Sequence, residues 1–358
     1  MHHPSDATTQ AKWENLATLQ ALLRKMPKID LHRHLEGSLR LQTLAEIATE
    51  HGIDLPAYSI EQLRPYVQVT DEEPDFHRFL AKFRLLRRFY RSPEAVERIA
   101  YEAVADAAAD NIRYLELRFN PVALSRSQHF SLANVTEWVS RAIARAQQDH
   151  DITVRLILQI GREESLRVAE EIIDLALAHR DKGVAGIDLA GDEVNYPPHR
   201  FAPLFYRAWR EGLGITTHAG EAGGAENVRD AIRLLHASRI GHGVRAVENS
   251  DVVRFVQERG VVLEVCPTSN LQTGVVRTLG QHPLPDLIAL GLKVTINTDD
   301  PSVSDTTLTD EYLVATAAIG LSLEQIREAI LTAADAAFLP EEERQQLREQ
   351  FQEWFAEE

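Results

Sequence analysis

The chain lacks several of the devices that define other protein classes. Its 358 residues include one cysteine, Cys266, which excludes disulfides within the chain and any cysteine-rich zinc site. No apolar run approaches the roughly 20 residues needed to cross a bilayer. The polar, then amphipathic stretch from Met1 to Lys25 has no apolar core of the signal-peptide kind, so a cytoplasmic location is expected. Positive charge is short as well: 38 Lys and Arg against 54 Asp and Glu leave a formal net charge of −16. Like charges repel, which argues against a nucleic-acid backbone or an anionic membrane as partner. There is no internal repeat, low-complexity tract or long Gly/Pro/Ser linker, so a single domain over residues 1–358 is expected. His2 and His3, at the extreme terminus, are given no metal role. What remains, 44% hydrophobic and 26% charged, is the composition of a globular protein.

Alternation is what the sequence does contain. Short β-branched or aliphatic runs predict strands at Ile29–His34, Ile112–Phe119, Thr153–Ile160, Val184–Leu189, Ile215–His218, Arg239–Gly241, Val261–Val265 and Lys293–Asn297. Most read as continuous apolar runs, the pattern of strands buried on both faces. Segments of helical period separate them; Ala169, Ile172, Ile173, Ala176 and Leu177 form one apolar stripe, with Glu170, Glu171 and Asp174 opposite. Eight such rounds predict an α/β fold of the closed (β/α)8, or TIM-barrel, kind. An open doubly wound sheet is the rival, but its Gly-rich phosphate loop is missing after the first strand, where Gly37 stands alone. Residues 39–91 form a helical insertion after strand one, placed to cover the mouth of the barrel. The core runs over about 27–340, and Leu321 to Glu358 adds helices packed outside it.

Chemistry in such a barrel sits at the carboxyl ends of the strands. Those ends read His32-Arg33-His34, Asp188-Leu189-Ala190-Gly191-Asp192-Glu193, His218-Ala219-Gly220-Glu221, Gly241-His242-Gly243 and Asn297-Thr298-Asp299-Asp300-Pro301. Groups that are costly to bury are thus concentrated at one rim. Side chains two apart on a strand share a face, so His32 and His34 can reach one cation. His218 and Asp299 complete a His3-Asp set with room for water. Nitrogen and carboxylate donors without thiolate suit Zn2+, and also Fe2+, Co2+ or Mn2+. Glu221 reads either as a helix-start carboxylate or as a proton carrier beside the metal. His242, flanked by two glycines, reads as structural or as the group that orients the attacking water. Asp300 reads as a helix cap or as a hydrogen-bonding partner of substrate.

These residues sit in segments that together resemble the adenosine/adenine deaminases of the amidohydrolase superfamily. The segments are KIDLHRHLEGSL (Lys28–Leu39), GIDLAGDE (Gly186–Glu193), THAGE (Thr217–Glu221), RIGHG (Arg239–Gly243), CPTSNLQTG (Cys266–Gly274) and NTDDP (Asn297–Pro301), supported by FLAKF (Phe79–Phe83) and YLELRFNP (Tyr114–Pro121). They occur in order from about Pro27 to Leu331. The resemblance implies one zinc per chain, held by His32, His34, His218 and Asp299. It implies Glu221 as the proton shuttle at purine N1, His242 acting on the attacking water, Asp300 at N7 and the backbone of Gly191 at N3. Phe79 and Phe83 would wall the nucleoside; at i and i+4 they read equally well as helix-face core residues. The chemistry has its own need of such groups: bulk water is too weak a nucleophile at neutral pH without a metal, and N1 needs a proton donor.

Two related chemistries are set aside. Cytidine-type zinc deaminases need P-C-x-x-C besides H-x-E, and Cys266 is alone. Binuclear amidohydrolases use a carboxylated lysine ending strand four, where GIDLAG has none. A non-catalytic metal-binding or signalling protein should have lost its proton-transfer groups, yet Glu221, His242 and Asp300 are present. The resemblance departs at Glu36, where adenosine deaminases carry an Asp that contacts the ribose 5′-hydroxyl. The HLEG form resembles adenine deaminases; LAGDE resembles the adenosine branch. Hydrolysis of adenosine and 2′-deoxyadenosine to inosine-type products and ammonia is the expected reaction, in purine metabolism. The alternatives are adenine and a 5′-modified adenosine such as methylthioadenosine or 6-aminodeoxyfutalosine of menaquinone synthesis. For the last, the cluster Arg84, Arg87, Arg88 and Arg91 would meet an anionic tail, unless it is a solvated helix face. The sequence sets no oligomeric state.

Overall fold

The structure is a computed structural model describing the backbone of residues 5–57, 59–70 and 72–357, and the side chains of that set from 15 to 356. His2 and His3 lie outside the described residues. Eight strands run β1 (Lys28–His34), β2 (Ile112–Phe119), β3 (Thr153–Gly161), β4 (Val184–Ala190), β5 (Gly214–Ala219), β6 (Arg239–His242), β7 (Val262–Val265) and β8 (Lys293–Ile296). Each is parallel to the next, in the order β1 to β8. The expected strands are all present, with ends within a residue or two. No described helix is long and apolar enough to cross a membrane.

The last seam is made just beyond β8. The amide of Asp299 donates to the His32 carbonyl, and that of His34 to the Asp299 carbonyl, both at 2.8 Å; Arg33 and Asp299 form a parallel bridge. The side chain of Asn297 caps the same edge, accepting from the Leu31 amide at 3.0 Å. Residues expected to hold a metal are therefore also those that close the cylinder.

Helices between the strands follow their apolar stripes. In Leu166–Ala178, Ala169, Ile172, Ile173 and Ala176 are buried, and Ser165 caps the start by accepting from the Val168 amide. The insertion folds as helices Leu41–His51, Ile60–Val67 and Phe76–Leu86, then the turn Arg87–Phe89. Its last helix faces the cavity at the strand ends through Phe76, Phe79, Leu80 and Phe83. The terminal helices Leu323–Ala336 and Glu341–Glu357 pack on each other, with Phe351 buried between polar neighbours.

The strands are buried on both faces, as expected, and carry charged residues into the interior: Glu116, Arg118, Asp188, Arg239 and Glu264 are fully buried. They form a connected ionic layer beneath the strand ends. Arg118 donates to Asp188 at 3.1 Å and to Glu264 at 2.8 Å. Arg239 donates to Glu264 at 2.6 Å and to Glu116, and its guanidinium lies 3.6 Å from the Phe338 ring centroid. Burial disfavours the ionised form of Glu264, yet Arg118, Arg239 and His32 outweigh it and hold that carboxyl well below its usual range.

Removing one member of such a network leaves an opposite charge buried and unpaired, which costs roughly 3–5 kcal/mol. Arg239→Met is expected to lower the unfolding free energy by about that amount in denaturant titration. A variant as stable as the parent contradicts the reading of this layer as interdependent.

Candidate active site

Four side chains from three places in the chain converge above this layer. His34 Nε2 lies 3.3 Å from His32 Nε2, 3.2 Å from His218 Nε2 and 3.2 Å from Asp299 Oδ1. His32 Nε2 is 3.3 Å from the same carboxylate oxygen. All four residues are at least nine-tenths buried. The far side of two rings decides what the near side offers. His32 Nδ1 donates to Glu264 Oε2 at 2.8 Å, and His218 Nδ1 to Asp188 Oδ1 at 3.1 Å. A neutral imidazole with its proton on Nδ1 presents a lone pair at Nε2. Burial also pushes His218 down to about 4, against the pull of Asp188, so this ring is neutral at pH 7.

The Nε2 lone pairs of His32 and His218 and the Asp299 Oδ1 atom all lie within 3.3 Å of His34 Nε2, a crowding of electron-rich atoms that is relieved when something positive lies among them. A tetrahedral ion with bonds of about 2.0–2.1 Å separates its ligand atoms by about 3.3 Å. The donor set thus fits one zinc-sized cation.

His242 is also close to this cluster; it lies with His32, His218 and Asp299 within 4.8 Å of one another. Its hydrogen bonds set it apart. The Leu284 amide donates to His282 Nδ1 at 3.1 Å, so the proton of neutral His282 is on Nε2, which donates to Asn270 Oδ1 at 3.3 Å. Burial pushes His282 down to about 4, consistent with the neutral ring. The Asn270 amide therefore turns its Nδ2 to His242 Nδ1, 3.2 Å away. This leaves His242 Nε2 as a donor, 3.5 Å from Glu221 Oε2 and 3.9 Å from Asp299 Oδ2. It is a proton-bearing group beside the donor set and not a lone pair within it.

Local backbone makes this packing possible. His242 and Asp299 adopt φ of 61° and 62°, a left-handed conformation uncommon outside glycine and frequent at functional sites. Gly241 is required sterically, since a Cβ there would sit 2.8 Å from His32 Cε1.

Glu221 lies in the turn after β5, ahead of the helix Ala225–Leu235 whose N-cap is Gly224; it is not a first-turn carboxylate. Glu193 holds that turn, accepting from the amides of Gly220, Glu221 and Gly223 at 3.0, 2.8 and 2.7 Å. Burial, with Asp299 and Glu193 adding to it, pushes the Glu221 carboxyl well above its ordinary range. Asp300 is the N-cap residue of Pro301–Ser304, yet its side chain makes no capping bond. Its Oδ1 is buried without a partner, and burial followed by Asp299 raises its carboxyl well above normal.

His34, His218, Asp299, His242, Glu221 and Asp300 line one cavity. Glu36, Gly191, Phe79 and Phe83 line it too. Phe79 and Phe83 are 4% and 8% exposed members of the core that also line the cavity. Of the arginine cluster, Arg84 and Arg88 are exposed while Arg87 reaches the lining. Every expected site residue except Gly191 and the phenylalanines carries a titratable group, and all converge on this end of the barrel.

Sequence reasoning placed Asp188 and Glu193 at the rim, and Asn270 in a family-like segment, without giving them a role, and missed Glu264 and His282. Glu264 and Asp188 carried a signal, being lone acids inside strand runs; Asn270 and His282 carried none that spacing reveals.

Fold and site define a (β/α)8-barrel protein with a buried His/Asp cluster suited to a metal beside two carboxyls whose burial favours the protonated form. The chain belongs to the adenosine deaminase family, whose model matches residues 27–354. An adenosine deaminase from Erwinia tasmaniensis is 44% identical over 324 residues, spanning 90% of this chain and 97% of that protein. The crystal structure of an adenine deaminase from Arthrobacter aurescens superposes with a TM-score of 0.85 at 30% identity, covering 92% of this chain and 99% of the other. An amidohydrolase from Burkholderia ambifaria with bound Zn gives 0.84 at 28% identity, covering 94% and 92%.

A carboxylate that orients a metal-ligating histidine typically contributes about 10- to 100-fold in metal affinity. Asp188→Asn is expected to weaken metal retention by about that factor in chelator competition; unchanged retention contradicts the role assigned to the Asp188–His218 contact.

Proposed function

We propose that this chain hydrolyses adenosine, and 2′-deoxyadenosine, to the inosine-type product and ammonia, in the cytoplasm, with one zinc per chain. The single observation that carries the reading is the placement of two carboxyls that burial pushes toward the protonated form, Glu221 and Asp300, in one cavity with His34, His218 and Asp299 of the four-residue cluster. The 44% identity to an adenosine deaminase over 90% of the chain favours the nucleoside over free adenine. We take residues 1–358 as one unit built around this site, with 39–91 as its lid.

The donor set would hold the cation, which when bound supplies the Lewis acidity that makes water nucleophilic near neutral pH. The purine lies with its amino-bearing carbon toward that cluster, under the wall of Phe79 and Phe83. Attack at C6 breaks the aromaticity of the ring and places negative charge on N1, and protonated Glu221 gives its proton there. His242 donates from Nε2 to the attacking oxygen, aiming it at C6 and stabilising the charge that develops on it. Asp300, protonated, donates to N7, which accounts for its buried and otherwise partnerless Oδ1. The backbone of Gly191 meets N3. Glu221 then takes up one proton of the incoming water and passes it to the amino group, which departs as ammonia, and the remaining hydroxyl proton returns to Glu221 as the C6 carbonyl forms.

Glu221→Gln keeps the size of the side chain and removes its proton exchange. It is expected to retain metal while losing about 10²–10⁴-fold in turnover, followed as the fall of the adenosine absorbance band. Parent-like turnover removes Glu221 from proton transfer.

A further inference from the structure

His242 stands between two uses. Its ring falls with donor atoms of His32, His218 and Asp299 in a group whose members lie within 4.8 Å of one another, so a lone pair at Nε2 would make it a further ligand of the cation. A proton at Nε2 makes it instead a donor to the oxygen that attacks C6. Glu221 Oε2, 3.5 Å from that nitrogen, does not decide between them. A carboxyl that burial pushes toward the protonated form can either give or accept a hydrogen bond. The other ring nitrogen decides.

Two side chains connect that nitrogen to a group with no choice of role. The Leu284 N–H can only donate, and it lies 3.1 Å from His282 Nδ1. The proton of neutral His282 is therefore on Nε2, Asn270 Oδ1 accepts it at 3.3 Å, and Asn270 Nδ2 is left to donate to His242 Nδ1 at 3.2 Å. The backbone holds Asn270 in place for this: its amide donates to the Cys266 carbonyl at 2.9 Å, and its carbonyl accepts from the Val276 amide at 3.0 Å. All three side chains are buried, where a low dielectric strengthens such contacts. Neither Asn270 nor His282 lines the cavity. The geometry points to Asn270 and His282 as positioning residues that keep the His242 proton on Nε2, denying this ring to the cation and reserving it for the attacking oxygen. The role toward the attacking oxygen rests on the adenosine reading above; the role toward the cation does not. Rotating the Asn270 amide by half a turn would set its oxygen against His242 Nδ1, draw the proton there and turn another lone pair toward the cluster. His282 makes that rotation unfavourable, because two donors would then face each other, either at Asn270 or at Leu284.

The test compares the full-length parent with His282→Leu and with His282→Gln, whose amide can still donate to Asn270. Nuclear magnetic resonance of the zinc-loaded protein with nitrogen-labelled histidine reads the His242 tautomer, its signal assigned by its loss in His242→Gln. The parent is expected to carry the proton on Nε2, and His282→Leu to show both tautomers. Loaded with cobalt, His282→Leu should show a visible spectrum altered by the added donor. A neutral hydrogen bond corresponds to about a 2- to 10-fold effect, so kcat on adenosine should fall by about that factor in His282→Leu with KM unchanged. His282→Gln should restore the tautomer, the cobalt spectrum and kcat. A parent with the His242 proton on Nδ1 overturns the proposal, whether or not His282→Leu folds. A pure Nε2–H tautomer with the parental cobalt spectrum in His282→Leu overturns it too, as does a loss of kcat that His282→Gln does not recover. No parental turnover of adenosine overturns the functional reading and the role toward the attacking oxygen, while the tautomer and the cobalt spectrum still decide the role toward the cation.

Discussion

The closure of the barrel between its last and first strands is the constraint on which the site depends. Asp299 and the pair His32 and His34 exchange backbone hydrogen bonds across that seam at 2.8 Å, and Nε2 of both histidines and Oδ1 of Asp299 lie within 3.3 Å of one another. Closing the cylinder and assembling the donor set are one event. The positive φ of Asp299 reconciles the two demands, letting its amide and carbonyl serve the ladder while its carboxylate turns inward. Strain of this kind costs roughly 1–3 kcal/mol and persists only where the surroundings over-determine it; here the two seam bonds and both histidines do so.

Below the site, the interior departs from the aliphatic filling usual in barrels of this architecture. Glu264 links both levels: one oxygen accepts from His32, an expected ligand, and from Arg118, the other from Arg239 and Thr216. Asp188 repeats the pattern between His218 and Arg118. The ionic layer therefore orients the imidazoles, fixing which nitrogen faces the cavity. His242 receives the opposite setting through Asn270 and His282. Two sets of second partners thus sort three neighbouring histidines into two lone-pair donors, His32 and His218, and one proton donor, His242, by position alone where ring chemistry is identical. His34 joins them through its Nε2, 3.2–3.3 Å from His32, His218 and Asp299.

Much of this was legible in the sequence, because its signals are periodic or local. Eight runs of strand residues separated by amphipathic stripes specify the barrel, and a barrel sends strand-end residues to one rim, so His32, His34, His218, His242, Asp299 and Asp300 could be grouped without coordinates. The supports were not legible because they depend on which residues face each other across the barrel. Glu264 pairs with His32 over 232 positions of chain, and no spacing rule reaches that far. Arg87 illustrates the same limit. In sequence it is one of four basic residues on a helical segment, and only the path of the lid separates it from exposed Arg84 and Arg88.

The central claim is a single cation shared by the four convergent side chains. Elemental analysis of the purified protein combined with anomalous diffraction tests it most directly. The account predicts one equivalent of metal per chain and one anomalous peak within about 2.0–2.2 Å of His32, His34 and His218 Nε2 and of an Asp299 carboxylate oxygen. Two metals per chain, or a peak held by His242 in place of His34, would contradict it.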